Sequence, residues 1–216
     1  MKAKIREPKA TTKAPHPGRP KRAHRQEEIL DAAFQVFASH GFEAARIDEV
    51  AERAGVAKGT VYLYFRDKEQ MFREVVRSLI RRRMDFLSKP MPGPPEDLLR
   101  ALISQMYANV VRNPKVRAIV RMLVAEGGRF PQLAEIYHRE IIMTGMNALR
   151  EVLKRGTEAK EFKQTKATDF PQILIAPGLL AVIWQLLFGE RHPLDLDAYR
   201  QAHIEFVLNG LKRAQD

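Results

Sequence analysis

Lys58, Thr60, Tyr62, Tyr64 and Lys68 crowd into one short run that offers two cations and three hydroxyls. Such groups suit phosphate oxygens: ammonium groups neutralise them and hydroxyls donate hydrogen bonds to them. Gly59 lets a helix N-terminus approach a DNA backbone closely, and Leu63 adds an apolar group of the kind that meets a thymine methyl. The elements that must carry these groups are legible in residues 46–68, RIDEVAERAGVAKGTVYLYFRDK. Ile47, Val50, Ala51 and Ala54 recur at i, i+3, i+4 and i+7, so they predict a first short helix over 47–54 with one apolar stripe. Asp48, Glu49, Glu52 and Arg53 fall on its other side. Gly55 ends that helix, because glycine takes the left-handed conformation cheaply. Val56 returns to the core. Val61 and Phe65, four apart, anchor a second helix near 58–64 and leave Gly59, Thr60, Tyr62, Leu63 and Tyr64 on its remaining faces. Helices joined in this way form a helix-turn-helix candidate. The spacing alone also suits an ordinary helical hairpin, but the basic and aromatic content of 58–68 favours DNA.

The charge is uneven. Of a net +11 over 216 residues, residues 1–89 hold 20 Lys+Arg against 12 Asp+Glu, and residues 90–216 hold 17 against 14. The excess lies on the half with the helix-turn-helix, where it raises DNA affinity and makes binding fall with salt. Residues 1–24 read as a disordered basic arm. Its stretch Pro17-Gly18-Arg19-Pro20-Lys21-Arg22 resembles the core of an AT-hook, which makes Arg19 and Lys21 candidates for a narrow minor groove. A merely solvated basic tail is the alternative. The arm has no secretory apolar region. The chain has no cysteine, which excludes disulfides, cysteine catalysis and thiolate metal sites and fits a reducing cytoplasm. Valine and isoleucine form no alternating runs, so the expected fold is all-α.

Residues 25–70 resemble the DNA-binding domain of the TetR family of bacterial repressors. The resemblance is carried by Ile29-Leu30-Asp31-Ala32-Ala33, Phe37, His40-Gly41-Phe42, Val50-Ala51, Ala54-Gly55-Val56, Lys58-Gly59-Thr60-Val61-Tyr62, Tyr64-Phe65 and Lys68-Glu69. It implies a three-helix head over 25–70, with a first helix near 25–39 and a long fourth helix over about 67–88. That fourth helix leads into a helical ligand-binding and dimerisation domain over 71–216. It also implies that Lys58, Gly59, Thr60, Tyr62, Leu63, Tyr64 and Lys68 face DNA. The family usually carries Thr or Ser where this chain has Ala45 and Arg46, and often Ser at Ala57. The usual hydroxyl caps are therefore missing, and Arg46 is the expected substitute for a phosphate contact.

Past the breakers at 90–95, helices are expected over about 96–112, 114–126, 131–155, 169–189 and 195–213. A polar connector is expected over 156–168. Residues 170–189 carry no charge, a length that could span a membrane. Gln172, Gln185, Pro171 and Pro177, with no flanking basic cluster, favour instead a helix buried on most sides. The resemblance implies that the last two helices form a homodimer interface, supplied by Leu179, Leu180, Ile183, Leu187, Ile204, Val207 and Leu211. Two recognition helices then meet two half-sites about one DNA turn apart. The run Val124-Ala125-Glu126-Gly127-Gly128-Arg129-Phe130-Pro131, followed by Leu133, Ala134 and Tyr137, resembles the C-terminal domain of AefR-like members.

Family members of this kind bind a small molecule among the C-terminal helices and then release DNA. Met106, Tyr107, Met122, Glu126, Tyr137, His138, Met143, Met146 and Trp184 are the candidate contacts, since methionine suits an adaptable apolar pocket. Each of them also suits a plain core, and Glu126 could instead pair with Arg129 or a cationic ligand. The six histidines show no metal-ligand spacing, and no phosphate loop or nucleophile elbow is present. Neither an enzyme, a metal nor a cofactor is therefore expected. The reading is a homodimeric repressor that binds a pseudopalindromic operator and is released by a mainly apolar ligand. The alternative is an architectural DNA-binding protein without an effector.

Overall fold

Good helix formers fill the stretch after Pro20, and a proline suits the first turn, where its missing N–H goes unmissed. In the computed structural model, which describes residues 19–84 and 92–212 (side chains over 22–79 and 92–212), helix α1 runs Arg19–Ala44. Arg25 and His24 support its start by pairing with Glu28 at 2.8 and 3.6 Å. The disordered arm expected over 1–24 is therefore corrected at its end. Arg19 and Lys21 lie in a helical turn rather than on an extended strand, and their side chains and residues 1–18 lie outside what is described.

Helix α2 (Ile47–Arg53), α3 (Lys58–Tyr62) and α4 (Lys68–Met84) complete the head. The rest is α5 (Pro95–Met106), α6 (Pro114–Glu126), α7 (Pro131–Tyr137), α8 (Met143–Glu158), α9 (Lys166–Asp169), α10 (Gln172–Leu187) and α11 (Leu196–Leu211). The fold is all-α. Two π-helical turns, Tyr107–Val111 and His138–Ile142, extend α5 and join α7 to α8. The connector over 156–168 is more structured than its polarity suggests. Phe162 is buried in it, packed so closely on α8 that a Cβ on Gly156 would lie 2.0 Å from its ring. Among the described residues no helix is long and apolar enough to cross a membrane.

Apolar burial organises these helices into two cores. One joins the head (Ile29, Val36, Phe37, Phe42, Val50, Val61, Phe65) to α4 and then to Ile119, Met122, Leu133, Ile136 and Ile141. The other lies among α5, α6, α8, α10 and α11. Helix α6 is the wall between them: Ile119 and Met122 face the first core, Val116 and Val120 the second. Leu79 and Tyr137 touch both.

Candidate DNA surface, apolar cavity and the joint between them

Helix α2 ends as its sequence predicts. Gly55 takes φ 63°, and the N–H groups of Gly55 and Val56 donate to Glu52 O and Ala51 O, which closes a Schellman turn. Val50, Ala51, Val61 and Phe65 are buried, and their packing fixes α3 across α2. Neither Arg46 nor Ala57 makes a side-chain cap. Arg46, Lys58 and Gly59 are exposed, Thr60 half-buried, and Tyr62 and Leu63 are 49% and 74% exposed. An apolar Leu63 held so far into water is poised for a partner surface.

Lys58 meets Asp48 at 2.9 Å, and that hydrogen bond raises its pKa above the ordinary lysine value. Both partners are exposed, so a phosphate can replace the carboxylate with little loss. Lys68 is placed differently. Its Nζ donates to Glu43 O (2.9 Å) and Ala45 O (3.3 Å) and stands 4.6 Å above the Phe42 ring. Burial pulls its pKa down, while Glu126 and Glu43 pull the other way. Lys68 thus neutralises the carbonyl end of α1 instead of reaching out. Tyr64 is half-buried against Phe65, with the Arg22 guanidinium 5.7 Å over its ring. Arg22, which the sequence places only in the basic arm, therefore lies beside the end of α3.

An apolar cavity of about 340 Å3 lies in the second core, within the size of small-ligand sites. Leu99, Leu102, Met106, Val120, Leu123, Gly145, Met146, Leu149, Leu174 and Val182 are among its walls. Its polar contributors are Tyr137, Gln105 and Asn109. Asn109 donates to Gln105 Oε1 at 2.8 Å. Burial pushes the Tyr137 hydroxyl up to about 12, so it stays a neutral donor.

Of the candidate ligand contacts, Met106, Tyr137 and Met146 line this cavity. The others lie elsewhere. Tyr107 is buried and donates to His203 Nδ1 (3.1 Å), while His203 Nε2 donates to Leu174 O (2.7 Å). Met122 fills the head-side core. His138 is exposed and Met143 half-buried, both off the cavity walls. Trp184 is 36% exposed and donates from Nε1 to His192 O.

The expected dimer residues also divide. Leu179, Leu180 and Leu187 are exposed and Ile183 half-buried; Ile173 and Phe188 near the ends of α10 and Phe206 on α11 are exposed too. Ile204, Val207 and Leu211 are corrected to the chain's own core, since they point towards α5 and α10. Helix α10 is likewise buried on one side only. Leu174, Gly178, Ala181 and Val182 face inward and the opposite side faces out.

Glu126 takes neither partner expected of it. Its Oε1 accepts from Phe42 N–H (3.0 Å) and its Oε2 from Glu43 N–H (2.9 Å). Arg129 pairs with the Glu43 carboxylate instead, and Phe130 packs on Phe42 with ring centroids 5.5 Å apart. Further bonds across the joint are Lys115–Asp31 (2.8 Å), Arg121 to Ala38 O (3.0 Å) and a two-pronged Arg77–Glu140 pair (2.8 and 2.9 Å).

The family model for bacterial regulatory proteins of the tetR family matches residues 29–75. The model for the tetracyclin repressor-like C-terminal domain matches residues 90–203. The HTH-type transcriptional repressor KstR2 of Mycolicibacterium smegmatis is 38% identical over 89% of this chain and 93% of its own. The fatty acid metabolism regulator protein of Bacillus subtilis is 28% identical over 85% and 94%. Among solved structures, the fatty acid degradation regulator FadR of Bacillus halodurans is similar at TM-score 0.67 and 25% identity, covering 85% of this chain and 94% of that one. FadR of Bacillus subtilis in complex with stearoyl-CoA shares the fold at TM-score 0.68 and 21% identity, covering 85% and 98%.

Proposed function

Since the chain belongs to the TetR family and is a DNA-binding transcriptional regulator, we propose that it is a homodimeric repressor released from a pseudopalindromic operator by a long, mainly aliphatic ligand with a polar head. The observation that carries this reading is the apolar cavity, because its far wall, α6, also packs on the head. Its few polar groups suit a ligand with one polar function, such as an acyl chain ending in a carbonyl. The relatives that act on fatty acid metabolism, and the stearoyl-CoA held by one of them, support an acyl ligand here. The same reading makes the protein a regulator rather than an enzyme and places it in the cytoplasm, where the DNA is.

The outward face of α10 supports the dimer. Ile173, Leu180 and Leu187 recur every seven residues along α10 and are each more than half exposed, and an apolar face of that kind marks a partner surface. A second copy covering it carries a second α3 for the other half-site. Arg46, Lys58, Thr60 and Tyr62 hold phosphates, and Leu63 meets base edges. Arg22 beside Tyr64 adds a further cation. The test is selection from a random DNA pool with the full chain. An enriched inverted repeat bound by two copies is expected, and a single unpaired site bound by one copy would refute the dimer.

A further inference from the structure

Helix α6 ends in an acid at the wrong place. A carboxylate at a helix C-terminus meets the negative end of the dipole, so Glu126 must be held there by something outside its own helix. What holds it is the pair of N–H groups of Phe42 and Glu43, 84 and 83 residues earlier in the chain. These amides belong to the last turn of α1, just after the break at Gly41, so the carboxylate caps a turn of the head from across the joint. Gly41 is shaped for that approach. Its φ is 78°, and a Cβ there would lie 2.0 Å from Glu126 Oε1. The two runs that stand out in the sequence, His40-Gly41-Phe42 and Glu126-Gly127-Gly128-Arg129-Phe130, are thus two halves of one joint. Leu123, about one turn before Glu126, is a wall of the cavity, and Val124 beside it lines the same cavity while being 73% exposed.

We propose that Glu126 is the positioning residue that couples the cavity to the DNA surface. Its carboxylate clamps the end of α1 while the cavity is empty, and a ligand pressing on Leu123 draws it off the Phe42 and Glu43 amides. Freed of the clamp, the last turn of α1 no longer fixes the start of α2. This rests on the reading that a cavity ligand releases DNA.

The experiment compares the full-length wild type with Glu126→Gln, which turns one acceptor oxygen into a donor facing an N–H group. The cavity is filled in two ways: with stearoyl-CoA as probe, and with Gly145→Leu, since a Cβ at Gly145 meets nothing within 4 Å. The readouts are affinity for the selected operator and hydrogen exchange at the Phe42 and Glu43 amides. In the wild type, filling is expected to weaken operator binding at least about fivefold, the lower end of usual coupling, and to speed exchange at both amides. In Glu126→Gln the same filling changes operator affinity less than about twofold, while the probe still raises the thermal midpoint. Equal release of the variant and the wild type would overturn the clamp and leave the ligand reading intact. No release of the wild type by either filling would overturn both. If Glu126→Gln does not fold, wild-type exchange decides: protection unchanged at both amides while DNA is released overturns the clamp.

Discussion

Replacing Gly41 with alanine should damage the protein for two separable reasons. At φ 78° and ψ −179° the residue sits in a region that is essentially glycine-only, and an alanine there carries about 1–3 kcal/mol of backbone strain. Its Cβ would also lie 2.0 Å from Glu126 Oε1, so the carboxylate must leave both amides. Hydrogen bonds to a charged group are worth roughly 1.5–3 kcal/mol each. The Glu43 bond is exposed, so about 2 kcal/mol for the pair is a fair sum. Gly41→Ala should therefore destabilise by about 3–5 kcal/mol and lower the thermal midpoint by roughly 6–20 °C for a chain of this size. Urea unfolding of the four members of a cycle with Glu126→Ala separates the terms. With the carboxylate gone, Gly41→Ala should cost only its strain, which leaves a coupling of about 2 kcal/mol between the two sites. Single-variant effects that simply add, within about 0.5 kcal/mol, would show that the contact between position 41 and Glu126 carries no energy.

Other expectations follow from the same geometry. Lys58→Ala should weaken operator binding and reduce the slope of log affinity against log salt by about one, whereas Lys68→Ala should leave the slope unchanged and cost about 1–2 kcal/mol of stability, since it caps α1 and covers Phe42. Gly145→Leu, by filling apolar space and removing a helical glycine, should raise stability by about 2 kcal/mol in urea unfolding; a lower midpoint would mean that the cavity does not admit the side chain. Burial lowers the His203 pKa below its ordinary 6.5, so the unfolded chain binds the proton first. The stability that neutral His203 contributes is present above pH 6.5 and is lost as pH falls below it. Tyr107→Phe, which leaves Nδ1 of that ring without its donor, should cost about 1–3 kcal/mol at pH 7.5.

The head was legible because its signals are local. Four-residue spacings, a glycine in the left-handed region at Gly55 and the missing hydroxyls at Arg46 and Ala57 each bear on neighbours a turn away, and α2 and α3 lie where those signals put them. The cavity was not legible in the same way. Its walls are ordinary leucines and valines, chosen by which face of α5, α8 and α10 they occupy. The two π-helical turns widen the backbone at 107–111 and 138–142, so faces counted at 3.6 residues per turn drift beyond them. Candidates picked by side-chain type fall outside the cavity for a simpler reason: type does not say which face of its helix a residue occupies, as Met122 on α6 and Trp184 on α10 show, while His138 opens the second of those turns on its exposed side. Ile204, Val207 and Leu211 share the same fault, for an apolar spacing along α11 does not say which neighbour covers it. Glu126 shows the limit most plainly. Its chemistry marked it out in the sequence, but its partners are backbone amides in another part of the fold, and no side-chain pattern announces them.

Whether the DNA surface answers to the cavity can be read in a single titration. The affinity of the full-length protein for its selected operator is measured at about 0.15 M salt, where screening is moderate, without and with saturating stearoyl-CoA. Binding of the acyl chain is followed in parallel by the thermal midpoint. The expected result is a higher midpoint together with operator affinity reduced at least about fivefold. A higher midpoint with unchanged operator affinity would contradict it, for the cavity would then be filled without the head responding.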